Sequence, residues 1–126
     1  MRILIDSHVA LWWLDNNSAM GPDCRALVRA ADEVHFSVIT PWELGIKRAL
    51  GKIEFPDDLS AALVENGFRP LMVQVEHAEL APQLPPHHRD PFDRMLIAQA
   101  QLEALPLVTA DRVLTDYEVE LIDARQ

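Results

Sequence analysis

Apolar and polar positions change along this chain in blocks that predict strands and helices in turn. Short apolar runs typical of buried strands lie at residues 2–6, 34–37, 69–73, 105–109 and 119–122. Helical periodicity is found at residues 9–14, 22–31, 41–50, 57–66, 75–83 and 91–103, while the proline- and histidine-rich segment 82–91 is typical of a loop. Strands separated by helices predict an α/β fold, a three-layer α/β/α sandwich with a central parallel sheet of about four or five strands. The order of the strands stays open.

Composition indicates one compact domain. The chain has 126 residues, 49% of them hydrophobic, and we expect residues 1–126 to form a single domain. Such a domain buries roughly two thirds of its unfolded surface. The only cysteine, Cys24, cannot form an intramolecular disulfide, as is usual in a reducing compartment. No apolar run approaches the roughly 20 residues that span a membrane, so a cytoplasmic protein without a membrane partner is expected.

The charge balance argues against broad electrostatic binding of nucleic acid. Eleven basic and twenty acidic side chains give a formal charge of -9. Nucleic-acid binding is normally driven by a basic surface. A nucleic-acid substrate would therefore need a local binding feature that offsets the overall negative charge of this protein.

Four acids lie where such a fold brings chain segments together. Asp6 ends the first predicted strand, Glu43 lies in the first predicted turn of a helix, Asp93 lies near the start of another, and Asp111 follows the strand after it. In right-handed strand–helix–strand units these positions share the carboxyl edge of the sheet. A helix of about 13 residues travels about 20 Å, and a strand with its turns recovers most of that distance. Four carboxylates in one cleft would repel each other unless a divalent cation is present, and all-oxygen ligands suit Mg²⁺ or Mn²⁺.

Each acid also has a structural interpretation. Glu43 completes the sequence TPWE, which matches a capping box with Thr40 as the cap. Asp93 could stabilise its helix dipole, and Asp111 could form a turn with Arg112. Asp6 is hardest to explain in this way, because a carboxylate that closes an apolar strand loses solvation unless it is paired. The functional interpretation rests on the four acids together.

The motifs ILIDSH, TPWELGIK, DPFDRMLIAQA and LVTADRVL occur in this order along nearly the whole chain. Together they resemble a PIN-domain nuclease, specifically a VapC-type toxin of a bacterial toxin–antitoxin pair. The family's metal-binding acids match Asp6, Glu43, Asp93 and Asp111. Its small hydroxyl-bearing residues match Ser7, where threonine is more usual, and Thr109. Whether the further acid Asp90 contacts metal stays open.

The resemblance implies an endoribonuclease that hydrolyses RNA with one or two Mg²⁺ or Mn²⁺ ions and leaves phosphate on the 5′ side of the cut. Asp6 and Asp93 are the first candidates for direct ligands, and Glu43 and Asp111 for binding a second ion or positioning or deprotonating the water. Arg94 and Arg112 could contact phosphate, although solvated arginines are more common. The implied partners are an RNA substrate, a cognate antitoxin and a second copy of the chain in a homodimer.

Other polar and aromatic candidates carry less weight. His87 and His88 could suggest zinc, but no cysteine pair or spaced histidine motif accompanies them, and a solvated loop is the favoured interpretation. The three tryptophans could stack on bases, but packing within helices and core is the more usual role.

The alternative function is a Mg²⁺-binding phosphoacceptor module of the receiver type. That class also has acids at the carboxyl edge of a parallel sheet. It requires an acid pair after the first strand and a late lysine, whereas Asp6 stands alone and no lysine follows Lys52.

Overall fold

A five-stranded parallel sheet forms the centre of the protein, in a computed structural model that describes residues 1–126. The strands are β1 (Arg2–Ile5), β2 (Glu33–Ser37), β3 (Arg69–Leu71), β4 (Leu107–Thr109) and β5 (Leu121–Asp123). Their order is β3-β2-β1-β4-β5, and all neighbouring pairs are parallel. The predicted α/β fold with a parallel sheet is therefore confirmed.

Six α-helices connect the strands, together with two short 3₁₀ helices. The α-helices are α1 (Ser7–Leu14), α2 (Pro22–Ala30), α3 (Ile39–Ala49), α4 (Leu59–Glu65), α5 (Val75–Leu80) and α6 (Pro91–Glu103). The 3₁₀ helices cover Ala81–Gln83 and Arg112–Asp116. All predicted elements are present, and most of their ends differ from the prediction by one or two residues. None of the helices combines the length and apolar character needed to cross a bilayer.

The sheet is covered on both faces, which makes the molecule three-layered. Successive side chains of a strand point to opposite faces. Accordingly, Ile3 and Ile5 belong to one core cluster with residues of α1, α2 and α4, and Leu4 belongs to a second cluster with residues of α6. All three side chains are fully buried. A strand buried on both faces needs a continuous apolar run, which is the pattern of β1.

The strand order places the candidate acids. Strand β1 lies between β2 and β4, and its last residue, Ile5, pairs with Phe36 and Val108. The segments that follow these three strands therefore leave the sheet side by side at its carboxyl edge. Asp6, α3 and Asp111 all begin there.

Helix α3 begins earlier than predicted, and this changes the interpretation of Glu43. The hydroxyl of Ser37 accepts a hydrogen bond from the backbone N–H of Ile39 at 3.2 Å, so the helix starts at Ile39. Thr40 then lies inside the helix and is fully buried. The capping-box interpretation is wrong, because neither Thr40 nor Glu43 occupies the required position. Glu43 lies in the second turn, not the first.

Candidate active site

A polar cleft opens at the carboxyl edge of the sheet. It has a volume of about 260 Å³, and none of its lining residues is hydrophobic. The lining residues are Asp6, Ser7, His8, Glu43, Lys47, His88, Asp90, Asp93 and Asp111. The structure thus brings the four predicted acids together and adds Asp90 as a fifth carboxyl group.

Asp6 is held rigidly at the floor of the cleft. It caps α1, where its Oδ1 accepts a hydrogen bond from the N–H of Val9 at 2.9 Å. Its Oδ2 accepts a hydrogen bond from the hydroxyl of Thr109, at the end of β4. Burial raises the pKa of Asp6, while the Thr109 and Val9 hydrogen bonds oppose that rise. The two hydrogen bonds therefore hold the carboxyl group in place, but they do not fully offset the effect of burial on its pKa.

Glu43 is buried and has a partner on each oxygen. The hydroxyl of Ser7 donates to Oε1 at 2.6 Å, and the ammonium of Lys47 donates to Oε2 at 2.9 Å. Only 5% of the Glu43 side chain is exposed. Burial disfavours the charge of Lys47, but the hydrogen bond and negative charge of Glu43 outweigh it and raise the Lys47 pKa. Lys47 is the one ammonium group that lines the cleft.

Asp93 carries the clearest sign of electrostatic conflict. It lies in the first turn of α6, and Nε2 of His88 is 2.7 Å from its Oδ2. Burial raises the pKa of Asp93 to about 6, because the His88 hydrogen bond is outweighed by burial together with the negative charges of Asp90 and Glu43. In the absence of a cation, part of the Asp93 population would be protonated near neutral pH.

One carboxylate oxygen of Asp90 and one of Asp111 accept backbone hydrogen bonds, and both residues line the cleft. Oδ1 of Asp90 caps α6 by accepting hydrogen bonds from the N–H groups of Phe92 and Asp93, at 2.8 and 3.2 Å. Oδ1 of Asp111 accepts from the N–H of Val113 at 3.0 Å. Asp90 is thus the N-cap of α6, and the same residue lines the cleft.

The two predicted arginines are not part of the cleft lining. The guanidinium of Arg94 donates to backbone carbonyls of the preceding loop, including Leu84 O at 2.7 Å and Pro85 O at 3.0 Å. Arg112 is exposed. Because its donors bind the loop, Arg94 has a structural role that its position beside Asp93 did not indicate.

His88 and Lys47 line the cleft, although the sequence analysis did not single them out as site residues. The solvated-loop interpretation is wrong for His88, whose side chain is only 25% exposed and contacts Asp93. Lys47 follows Glu43 by four residues, a spacing that brings side chains together on a helix. That spacing could have predicted from the sequence that Lys47 lies beside Glu43. His88 had none, because a loop without periodicity does not show in the sequence where its side chains lie.

The donor set suits a hard divalent cation. Five carboxyl groups line the cleft together with the imidazoles of His8 and His88 and one ammonium group, that of Lys47. Burial raises the pKa of Asp6 and of Asp93, and the negative charge of Glu43 acts in the same direction on both, so their charged forms are disfavoured without a cation. Mg²⁺ and Mn²⁺ prefer carboxylate oxygens and would remove the conflict.

Comparison with known proteins finds a matching family, a relative and similar folds. A sequence model of the PIN domain family matches residues 3–120. Ribonuclease VapC22 of Mycobacterium tuberculosis is 28% identical over 123 residues, which cover 91% of each chain. The fold resembles the DNA-bound VapBC of Salmonella typhimurium, with a TM-score of 0.68, 17% identity and 98% of each chain covered. It also resembles FitAcB from Neisseria gonorrhoeae, with a TM-score of 0.66, 19% identity and the same coverage.

Proposed function

The chain belongs to the PIN domain family, and from that premise we propose that it is a divalent-metal-dependent endoribonuclease, the toxin of a toxin–antitoxin pair. One observation carries the proposal: carboxylates from four separate parts of the sequence converge in one cleft at the carboxyl edge of the sheet. VapC22, named a ribonuclease, is a relative over most of the chain.

The metal ligands in this proposal are Asp6, Glu43, Asp93 and Asp111, and the ion is Mg²⁺ or Mn²⁺. When bound, such an ion offsets charge on the scissile phosphate and acidifies a water molecule. Asp6 and Asp93 are the direct ligands of the first ion. Glu43 and Asp111 hold a second ion or orient the attacking water.

The chain's own residues keep these groups in place. Thr109 and the N–H of Val9 fix the carboxylate of Asp6, so it cannot rotate away from the cleft. Ser7 and Lys47 do the same for the two oxygens of Glu43. Groups that are already oriented lose little entropy when the substrate binds. The buried hydroxyl groups of Ser7 and Thr109 therefore act as positioning groups.

RNA is the proposed substrate despite the net charge of -9. The cleft becomes attractive to phosphate only after its carboxylates have bound a cation, so attraction is local and depends on metal. The proposed location of the reaction is the cytoplasm. In the proposed reaction water attacks phosphorus and the P–O3′ bond breaks, which gives one product with a 5′ phosphate and one with a 3′ hydroxyl, without a covalent protein intermediate.

A cognate antitoxin and a second copy of the chain are the proposed protein partners. VapBC-5 of Mycobacterium tuberculosis is described as a member of the VapBC family of toxin–antitoxin systems. Large apolar side chains are exposed outside the cleft, among them Trp42 at 63%, Leu50 at 65% and Val75 at 67%. Such residues are enriched at protein–protein contacts. The tryptophans of α1 are less available, because Trp12 and Trp13 are half-buried.

The phosphoacceptor alternative is not favoured. Membership of the PIN domain family points to a nuclease. The ammonium group in the cleft belongs to Lys47 and is already paired with Glu43, whereas a receiver module needs a lysine late in the chain.

Cleavage of end-labelled RNA by the purified protein tests the proposal. We expect cleavage with Mg²⁺ or Mn²⁺, loss of cleavage in excess chelator, and products with 5′ phosphate. The variant Asp6→Asn should be inactive, whereas Asp23→Asn, which changes an exposed acid in the first turn of α2, should cleave normally. Undiminished cleavage in excess chelator would contradict the proposal.

A further inference from the structure

Two imidazoles line the carboxylate cleft, and that of His88 contacts one of the carboxylates. Nε2 of His88 lies 2.7 Å from Oδ2 of Asp93. Ligand atoms of His88, Asp90 and Asp93 all lie within 4.8 Å of one another. All three side chains are partly buried and line the same cleft as Asp6 and Glu43. A nitrogen donor therefore lies among the oxygen donors.

The loop that carries His88 is held at both sides. The guanidinium of Arg94 donates to the carbonyl oxygens of Leu84, Pro85 and His88, at 2.7, 3.0 and 3.2 Å. The hydroxyl of Tyr117 lies 3.4 Å from the same His88 oxygen and accepts from Arg94 at 3.3 Å. Several directed hydrogen bonds on one short loop fix the backbone of His88. These bonds hold the backbone that carries the imidazole, and the ring itself is oriented by its contact with Asp93.

The spacing of these atoms matches that of ligands around one ion. With metal–ligand bonds of about 2.1 Å, neighbouring ligand atoms lie about 3 Å apart and opposite ones about 4.2 Å apart. The separation of 2.7 Å between Nε2 of His88 and Oδ2 of Asp93 is close to the first value. The limit of 4.8 Å for the set of three is slightly above the second. A small side-chain rotation would bring Asp90 into place.

We infer that His88 is a nitrogen ligand of the divalent ion, which it binds together with Asp93 and Asp90. This inference rests on the proposed function and refines it, because it assigns a mixed nitrogen and oxygen site in place of four carboxylates alone. Asp90 contributes to the site through Oδ2, since Oδ1 is used to cap α6.

An imidazole ligand changes which ion the site prefers. Mg²⁺ takes oxygen ligands and dehydrates reluctantly, whereas first-row transition ions accept imidazole readily. The cleft should therefore bind Mn²⁺ more tightly than Mg²⁺, and His88 should be the main cause of that preference.

Pulsed electron paramagnetic resonance of bound Mn²⁺ tests this directly, without reference to activity. We expect hyperfine coupling to a directly bound nitrogen in the wild type and loss of that coupling in His88→Gln. Glutamine keeps the reach of the side chain and can still donate to Asp93, so a role limited to hydrogen bonding would survive it. Titration calorimetry should show that the Mn²⁺ preference over Mg²⁺ falls tenfold or more in His88→Gln.

Two histidine variants serve as matched controls. His8 also lines the cleft, and His87 is exposed beside His88. His8→Gln and His87→Gln should keep both the nitrogen coupling and the Mn²⁺ preference. Mn²⁺ bound without nitrogen coupling in the wild type would overturn the inference, as would coupling that persists in His88→Gln. Failure of the wild type to bind either ion would instead contradict the proposed function.

Discussion

Asp93→Asn is the substitution that best separates a metal-site acid from a structural one. Asparagine keeps the shape of the side chain and can still accept a hydrogen bond from Nε2 of His88. It removes one negative charge from a cleft that also holds Asp90 and Glu43. In metal-free buffer the variant should therefore be more stable than the wild type at pH 7.

The size of the gain follows from the raised pKa. The pKa of Asp93 rises from 3.8 to about 6 in the folded protein. A shift of about 2 units corresponds to about 3 kcal/mol, the cost of ionising Asp93 in the folded chain relative to the unfolded chain. Loss of the charged contact with His88 offsets part of the gain, so an increase of about 1–3 kcal/mol in the free energy of unfolding is expected.

The same shift sets the pH dependence. Between pH 3.8 and about 6 the folded wild type binds more protons at Asp93 than the unfolded chain does. Its stability contribution from Asp93 is therefore fully present below pH 3.8 and is lost as pH rises through about 6. The advantage of Asp93→Asn should be small at pH 4 and complete at pH 7.

Chemical denaturation and thermal melts, run with and without Mg²⁺, measure these differences. Mg²⁺ should stabilise the wild type and have a much smaller effect on Asp93→Asn, because a ligand stabilises only the state that binds it. RNA cleavage by the variant should collapse. Asp23→Asn is the matched control: Asp23 is an exposed first-turn acid of α2, and its replacement should cost a few tenths to 1 kcal/mol and leave the Mg²⁺ response unchanged.

An Asp93→Asn variant that is less stable than the wild type and fully active would refute this reasoning. Asp93 would then serve only its helix, as the structural interpretation of its position suggested. A variant with unchanged stability across the pH range would show instead that the cleft is solvated well enough to hold the charge.

Three further predictions concern the surroundings of the cleft. Lys47→Met leaves the buried carboxylate of Glu43 without its counter-charge and should cost about 2–4 kcal/mol, partly restored by Mg²⁺; denaturation beside Lys47→Arg, which keeps the charge, measures this. Arg94→Ala should lower stability by about 2 kcal/mol, because the loop carbonyls lose their charged donor. Arg94→Lys should restore little of the lost stability, because lysine cannot donate to several carbonyl oxygens at once. If Arg94 only contacted phosphate, lysine could replace it, and Arg94→Ala would reduce cleavage without lowering the melting temperature. Light scattering of the purified chain should give the mass of a homodimer, and replacing the exposed Trp42 by serine should shift it towards a monomer; a strictly monomeric wild type at high concentration would count against the dimer.

The sequence alone was sufficient for the architecture and for the principal acids. The apolar run of β1 predicts a strand buried on both faces, and the regular alternation of strands and helices predicts a parallel sheet. Both signals are local, so they can be read without knowing any distant contact. The convergence of Asp6, Glu43, Asp93 and Asp111 in one cleft could be predicted because strand ends and helix starts of a parallel sheet share one edge, whatever the strand order.

Only the tertiary structure decided the strand order and the partners of those acids. The hydroxyl of Thr109 is 103 residues from Asp6, and Ser7 is 36 residues from Glu43, so neither contact leaves a local pattern. Helix α3 was predicted to begin at residue 41, but it begins at Ile39, whose N–H donates to Ser37 at the end of β2. His88 was interpreted as a solvated loop residue, since a loop has no periodicity that could show where it folds. Its backbone is held by Arg94, 6 residues away, and by Tyr117, 29 residues away, and such directed hydrogen bonds exist only once the chain has folded.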